Sequence, residues 1–184
     1  MFLLKKDENT EDVFEVENLT EVDNTTESNL TPLNKETNPV LLTVIQKGTV
    51  IEGNLVVEGN AELYGEVHGN IKCSHHINIF GSVKGNVVAE SGEINEGFVS
   101  GDVSTKLHLV IGNKTEVLGN IDSKSAIING KVKGDCTLTD VVSITGTGVV
   151  LGNISTKDLS VDQGAIIQGN IKINRDVFFE SDDE

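Results

Sequence analysis

The sequence predicts an all-β fold, a parallel β-helix of about eight turns over residues 40–173, with disordered acidic tails on either side. Three observations predict it: a Gly-Asn or Gly-Asp motif recurs at intervals of 15–18 residues, β-branched residues keep a fixed distance from that motif, and aromatic residues make up only 4% of the chain. A narrow coil of short strands has room for branched aliphatic side chains and little room for rings, so the three observations favour one architecture.

Most of the negative charge lies in the two tails. The formal net charge of the 184-residue chain is −15, of which residues 1–39 contribute −7 and residues 174–184 contribute −4. Residues 1–39 hold both prolines, are rich in Asn and Thr and lack a sustained hydrophobic period, which predicts a disordered arm. An acidic chain of this kind is not expected to bind nucleic acid.

The repeat consists of a glycine, then Asn or Asp, then in most copies an apolar residue. The residues that follow the motif glycines are Asn54, Asn70, Asn86, Asp102, Asn120, Asp135, Asn153 and Asn170. Gly and Asn both tolerate positive φ, so the motif predicts a sharp corner between short strands. A unit of this length cannot bury its own apolar face, and three short strands per turn, stacked turn on turn, bury a continuous column.

Stacking brings the eight corner residues into line along the axis of the coil. We expect their amide side chains to form a hydrogen-bonded ladder, as stacked Asn residues do in cross-β structures. Asn120 separates the two Asp corners, so no carboxylate has to lie directly above another.

This pattern, a branched apolar residue two positions before Gly-Asn and an apolar residue after it, resembles that of the bactofilins, bacterial cytoskeletal proteins. The resemblance covers residues 40–173. It implies a right-handed parallel β-helix that polymerises end to end without nucleotide into non-polar filaments. It also implies a place under the inner membrane, as a cytoplasmic scaffold for morphogenetic or cell-wall proteins.

The two ends of the repeat region are apolar, although soluble solenoids usually carry polar caps there. We expect a polymerisation interface from Leu41, Leu42, Val44, Ile45, Ile171, Ile173, Val177, Phe178 and Phe179. Two distinct self-complementary ends generate an open filament, whereas one alone generates a dimer. The alternative is that the flanking segments fold back as caps and the protein is monomeric.

The first six residues combine apolar and basic side chains. A membrane-targeting peptide is predicted from Met1, Phe2, Leu3, Leu4, Lys5 and Lys6. Bactofilins often carry such a peptide, in which the apolar residues enter the headgroup boundary and the lysines meet anionic lipid. The alternative is an ordinary exposed terminus.

No sequence motif for catalysis, nucleotide binding or metal binding is present, so we expect neither an enzyme nor a cofactor. Gly130-Lys131 is followed by Val132, not by the Ser or Thr of a phosphate-binding loop. Cys73 and Cys136 fall on inward positions and are interpreted as small core residues. The four histidines, His68, His75, His76 and His108, are interpreted as surface residues.

The main alternative function is that of a hexapeptide acyltransferase, a left-handed β-helix enzyme. Gly53, Gly59 and Gly65 have the six-residue spacing of that family, but the spacing then breaks down. A carbohydrate-active β-helix, the third possibility, typically has longer turns and clustered carboxylates along one face.

Overall fold

The computed structural model describes residues 41–175, which form 24 short β-strands and no helix. Every third strand belongs to the same sheet, so the chain coils through eight turns and builds three eight-stranded sheets. All strand pairs within these sheets are parallel. The prediction of an all-β parallel β-helix of about eight turns is therefore confirmed. The right-handed coil stays a prediction, and the arm and nearly all of the acidic C-terminal tail lie outside the described residues.

The strands follow one another in a fixed order of one four-residue strand and two three-residue strands per turn. In chain order they are Leu42–Ile45 (β1), Val50–Glu52 (β2), Leu55–Val57 (β3), Asn60–Leu63 (β4), Glu66–His68 (β5), Ile71–Cys73 (β6), His76–Ile79 (β7), Ser82–Lys84 (β8), Val87–Ala89 (β9), Ser91–Ile94 (β10), Phe98–Ser100 (β11), Val103–Thr105 (β12), His108–Ile111 (β13), Glu116–Leu118 (β14), Ile121–Ser123 (β15), Ser125–Ile128 (β16), Lys131–Lys133 (β17), Cys136–Leu138 (β18), Val141–Ile144 (β19), Val149–Leu151 (β20), Ile154–Thr156 (β21), Asp158–Val161 (β22), Ile166–Gln168 (β23) and Ile171–Ile173 (β24). We call the sheets that contain β1, β2 and β3 the first, second and third sheet.

The three corners of each turn differ in length, and this explains the uneven intervals of the sequence motif. The Gly-Asn or Gly-Asp corner between the second and third sheets always has two residues. The corner between the first and second sheets varies: four residues separate Ile111 from Glu116, and two separate Ile128 from Lys131. Insertions are thus confined to the other two corners, so the stacking of the Gly corner is never interrupted.

The core is a single column of small branched side chains along the axis. The middle residue of every strand in the second sheet points inward; in the six inner turns this residue is a valine with 0–1% of its surface exposed. Polar side chains on the inward side have hydrogen-bond partners: the hydroxyls of Thr105 and Ser123 lie 2.8 Å apart, and Thr156 Oγ1 lies 3.0 Å from the carbonyl oxygens of Asp140 and Asp158. Buried polar groups that are satisfied in this way cost little stability.

Glycine is required at the corner for two reasons, which Gly101 illustrates. Its φ is +152°, a backbone conformation that residues with a side chain rarely adopt. A Cβ on Gly101 would also lie 2.3 Å from the carbonyl oxygen of Gly85 in the turn below. The corner Asn residues also tolerate positive φ but do not adopt it: among the described non-glycine residues only Glu96 has positive φ.

Candidate polymerisation surfaces

The eighth turn exposes side chains that every inner turn buries. Ile171 and Ile173 on β24 are each 45% exposed. The residues paired with them on β21, Ile154 and Thr156, are 1% and 0% exposed. The four residues occupy the same inward columns, and the difference arises because no described strand stacks beyond β24. The coil therefore ends in an uncovered cross-section of its own core.

The same increase in exposure from the seventh to the eighth turn occurs in the first sheet. Val161 on β22 is 46% exposed, whereas Ile144, its partner on β19, is fully buried. Leu159 and Ile167, at the remaining inward positions of these strands, are half-buried. We call Leu159, Val161, Ile167, Ile171 and Ile173 the C-terminal end face. Its members are all aliphatic, as expected of a surface that continues the core.

The first turn is built differently. Of its inward residues, Ile45 and Val57 are 7% and 4% exposed, and Thr43, Ile51 and Leu55 are half-buried; Ile45, which the sequence placed in the interface, is therefore buried. Leu41, Leu42 and Val44 are 40–68% exposed; the latter two alternate with inward residues and therefore project from the side of the turn. The sequence predicts the same kind of apolar surface at both ends, but the two ends differ in which side chains they expose. Val177, Phe178 and Phe179 lie outside the described residues.

Both ends also expose unpaired backbone. Within residues 41–175, the strands β1, β2 and β3 at one end and β22, β23 and β24 at the other each have a neighbouring strand on one side only. An edge of this kind presents a row of N–H and C=O groups that can pair with another chain. Each end thus combines unpaired backbone with apolar side chains.

The corner residues form a continuous ladder along the coil. In each step the side-chain Oδ1 of one corner residue accepts a hydrogen bond from the backbone N–H of the corner residue in the next turn, at 2.8–3.1 Å, from Asn54 through Asn70, Asn86, Asp102, Asn120, Asp135 and Asn153 to Asn170. The donors are backbone groups, not the side-chain amides that we expected; the amide of Asn153 is an exception and also donates to Asp135 Oδ1 at 3.0 Å. Because the ladder needs only an acceptor oxygen, Asp serves as well as Asn.

A pair of substitutions tests the ladder. Replacing Asn70 by Ala removes the acceptor 2.9 Å from the N–H of Asn86, and we expect it to lower the free energy of unfolding by about 1 kcal/mol. Replacing Asn70 by Asp keeps the oxygen and is expected to change stability by less than half as much. Urea unfolding followed by circular dichroism measures both. Equal destabilisation by the two substitutions would contradict the role of the oxygen.

The titratable groups of the described residues include two cysteines and four histidines. Burial raises the pKa of the Cys136 thiol to about 12 and also raises that of Cys73, so neither thiol is activated. The ring nitrogens of His76 contact Ser91 Oγ and Asn78 Oδ1. No group of three or more His, Cys, Asp or Glu residues within 41–175 is arranged to hold a metal ion. Over the same residues, no helix has the length and apolar character needed to cross a bilayer.

A groove on the side of the coil was not anticipated from the sequence. The Tyr64 and Phe80 rings stack with their centroids 4.8 Å apart and their planes within 4°, and Phe98 lies nearby. These three residues line a groove of about 620 Å³, which we call the aromatic groove. The signal was present in their spacing: Tyr64 and Phe80 are 16 residues apart, one repeat, and so occupy the same corner of successive turns.

Comparison with known proteins identifies a family for nearly the whole coil. A family model described as "Bactofilin: Polymer-forming cytoskeletal" matches residues 43–95 and 82–172. No curated protein and no solved structure matches the chain. The match spans all eight turns and does not favour the acyltransferase alternative.

Proposed function

The chain belongs to the bactofilin family of polymer-forming cytoskeletal proteins, and on this premise we propose that it assembles end to end into non-polar filaments without nucleotide. The C-terminal end face is the observation that carries the proposal. Ile171 and Ile173 change from the near-complete burial of their column to 45% exposure because the coil stops. Stacking a second coil on this face returns them to the environment of every inner turn.

The difference between the two ends supports joining of like to like. A C-terminal end face that meets its own copy matches aliphatic side chains with aliphatic side chains, and a two-fold axis relates the two subunits. The same arrangement at the first turn brings the unpaired edges of β1, β2 and β3 of two subunits together. Two such junctions per subunit generate an open filament in which neighbouring subunits point in opposite directions.

We propose a structural and not an enzymatic role: a filament on the cytoplasmic face of the cell membrane that scaffolds partner proteins. The bactofilin family is cytoskeletal, and the described residues contain no arrangement for metal binding and no activated thiol. The lipid contact is assigned to the Met1–Lys6 segment. A filament presents many copies of this segment, so weak single contacts add up to tight binding through avidity.

Negative-stain electron microscopy of the purified full-length chain tests the assembly. We expect filaments in buffer without nucleotide, with their number and length unchanged after addition of ATP or GTP. A chain that sediments as a single subunit at every concentration and salt examined would contradict the proposal.

Deletion of residues 2–6 is expected to release the polymer from lipid. Two lysines near an anionic surface contribute about 1 kcal/mol each, and the loss of the apolar residues adds to this, so binding to phosphatidylglycerol vesicles should fall at least about tenfold. Co-sedimentation with vesicles measures it. The matched control deletes residues 25–29, five residues of the same arm, and should bind as the intact chain does. Undiminished vesicle binding after deletion of 2–6 would refute the assignment of the segment.

A further inference from the structure

We propose that the aromatic groove is a lateral pairing surface, and that its occupant is the same surface of a second, antiparallel copy of this chain. The contact uses the side of the coil and does not depend on end-to-end assembly. The evidence for this proposal is the order of side chains along one edge of the second sheet.

The first residues of the eight strands in the second sheet stack into one outward-facing column, in which Ser82, Phe98 and Val149 are half-buried and the other five are exposed. In turn order the column reads Val50, Glu66, Ser82, Phe98, Glu116, Lys131, Val149 and Ile166. The first five residues of the column line the aromatic groove, together with Tyr64 and Phe80. The groove is bordered by carboxylates over turns two to five and by the lysines Lys47 and Lys114. A further lysine and aliphatic residues continue the column beyond it.

This column is complementary to itself when two coils run antiparallel. The two-fold axis that relates the copies runs parallel to the strands at the level of Phe98. A residue that lies a given number of turns before Phe98 in one copy then faces the residue that lies the same number of turns after Phe98 in the other copy. Phe98 then meets its own copy, Glu66 faces Lys131, and Val50 faces Val149. The rings pack at the centre, an ion pair forms on either side of them, and aliphatic contacts close both ends.

Other arrangements of the same two faces place like charges together. Shifting the axis by half a turn towards the first turn puts Glu66 opposite Glu116. Shifting it by half a turn the other way puts Lys84, from the neighbouring column of third residues, opposite Lys133. Running the two coils parallel puts Lys131 opposite Lys133. Like charges in contact across an interface cost free energy, so the charges select the register centred on Phe98.

The neighbouring column of third residues is compatible with this register. There the axis brings Glu52 opposite Leu151, Lys84 opposite Leu118 and the imidazole of His68 opposite Lys133. The ion pair between Lys114 and Glu96, with Nζ and Oε1 2.6 Å apart, leaves these two groove residues neutralised by each other. The unlike-charge contacts across the pair are therefore those between Glu66 and Lys131, made twice because of the symmetry.

The size of the contact determines how it is detected. Seven overlapping turns at ~4.8 Å and a face about 10 Å wide give about 340 Å² per copy. The total of about 700 Å² lies below the ~1,200 Å² of stable complexes, so the pair is weak between isolated subunits and gains strength when contacts repeat along a polymer. Covalent trapping is therefore the appropriate measurement.

Cross-linking at the symmetry axis tests the proposal in the full-length chain. Ser100 is exposed, lies on the same strand as Phe98 and also faces its own copy across the axis. In the Ser100→Cys variant Phe98 stays in place, and a short bismaleimide should join the two introduced thiols by adding one thiol to each maleimide. Cys73 and Cys136 are buried and contribute little background. The control is Val56→Cys, whose side chain is 68% exposed on the third sheet. We expect at least fivefold more covalent dimer from the first variant, on a denaturing gel.

Charge reversal then tests the register. Glu66→Lys in the Ser100→Cys background should reduce the dimer at least fivefold, and adding Lys131→Glu should restore it. Glu58→Lys, a substitution of an exposed corner residue outside the face, should leave the dimer unchanged. Dimer no more abundant than in the control, or a double reversal that fails to restore it, would overturn the pairing. The gel measures the lateral contact whether or not filaments form. Electron microscopy of the same samples measures end-to-end assembly separately.

Discussion

Ile173→Arg is expected to disperse the filaments into single folded subunits. Ile173 is the last inward residue of the described coil; it is 45% exposed, and no described strand stacks upon it. In a C-terminal junction an Arg there is buried among the aliphatic side chains of the neighbouring subunit's end face. An unpaired buried charge costs about 3–5 kcal/mol, which raises the concentration needed for assembly by 100-fold or more.

The measurement is the critical concentration for assembly, from high-speed pelleting and electron microscopy. The matched control is Thr137→Arg, an exposed outward position on β18 of the same sheet, which adds the same charge away from the end and should leave assembly unchanged. Circular dichroism establishes that both variants keep the β-helix. Filaments of normal length from Ile173→Arg at the usual concentration would remove the C-terminal end face from the junction.

The architecture could be predicted because it repeats. The interval of 15–18 residues sets the size of one turn, and the alternation about each motif fixes which side chains point inward; Val67, Val99 and Val150 are all fully buried. Each of the eight copies of the motif predicts the same local structure independently. An irregular position in one turn is outweighed by the other seven.

The ends could not be predicted in the same way because they are where the repeat stops. Ile45 and Ile173 look equivalent in the sequence, yet one is 7% and the other 45% exposed. Both residues lie on a terminal turn and have a neighbouring strand on one side only, so the stacking of the described strands does not account for the difference. The accessible surface of a residue depends on its neighbours in space, and at the ends these neighbours differ between identical residues.

The ladder and the aromatic groove show a second limit. The sequence aligned the corner residues but not their hydrogen-bond donors, because donor choice depends on the distance between the Oδ1 of one turn and the N–H of the next. The aromatic residues were counted as rare when their spacing of one repeat already placed Tyr64 above or below Phe80. The small number of aromatic residues indicates a narrow core, whereas their spacing along the sequence indicates which of them lie together on the surface.

The largest expected effect on stability is that of Gly101→Ala. The substitution forces an alanine into φ +152° and places its Cβ 2.3 Å from the carbonyl oxygen of Gly85, a backbone atom that cannot rotate away. The conformation alone costs about 1–3 kcal/mol, and separating two stacked turns adds to this, so we expect a loss of at least about 3 kcal/mol and a melting temperature lower by about 10 °C or more.

Gly92→Ala is the control that separates this corner from glycines in general. Gly92 occupies an inward column of the first sheet in which Ala61 and Ala126 stand in other turns, and an added Cβ finds its nearest neighbours, Ile77 Cγ2 and Leu109 Cδ1, at 3.4 Å. With neither positive φ nor a backbone contact, the substitution reduces the entropy of the unfolded chain and should be neutral or stabilising by up to about 1 kcal/mol. Thermal unfolding of both variants, followed by circular dichroism, gives the comparison. If the two alanines shift the melting temperature equally, close stacking of glycine upon glycine is not what holds successive turns together.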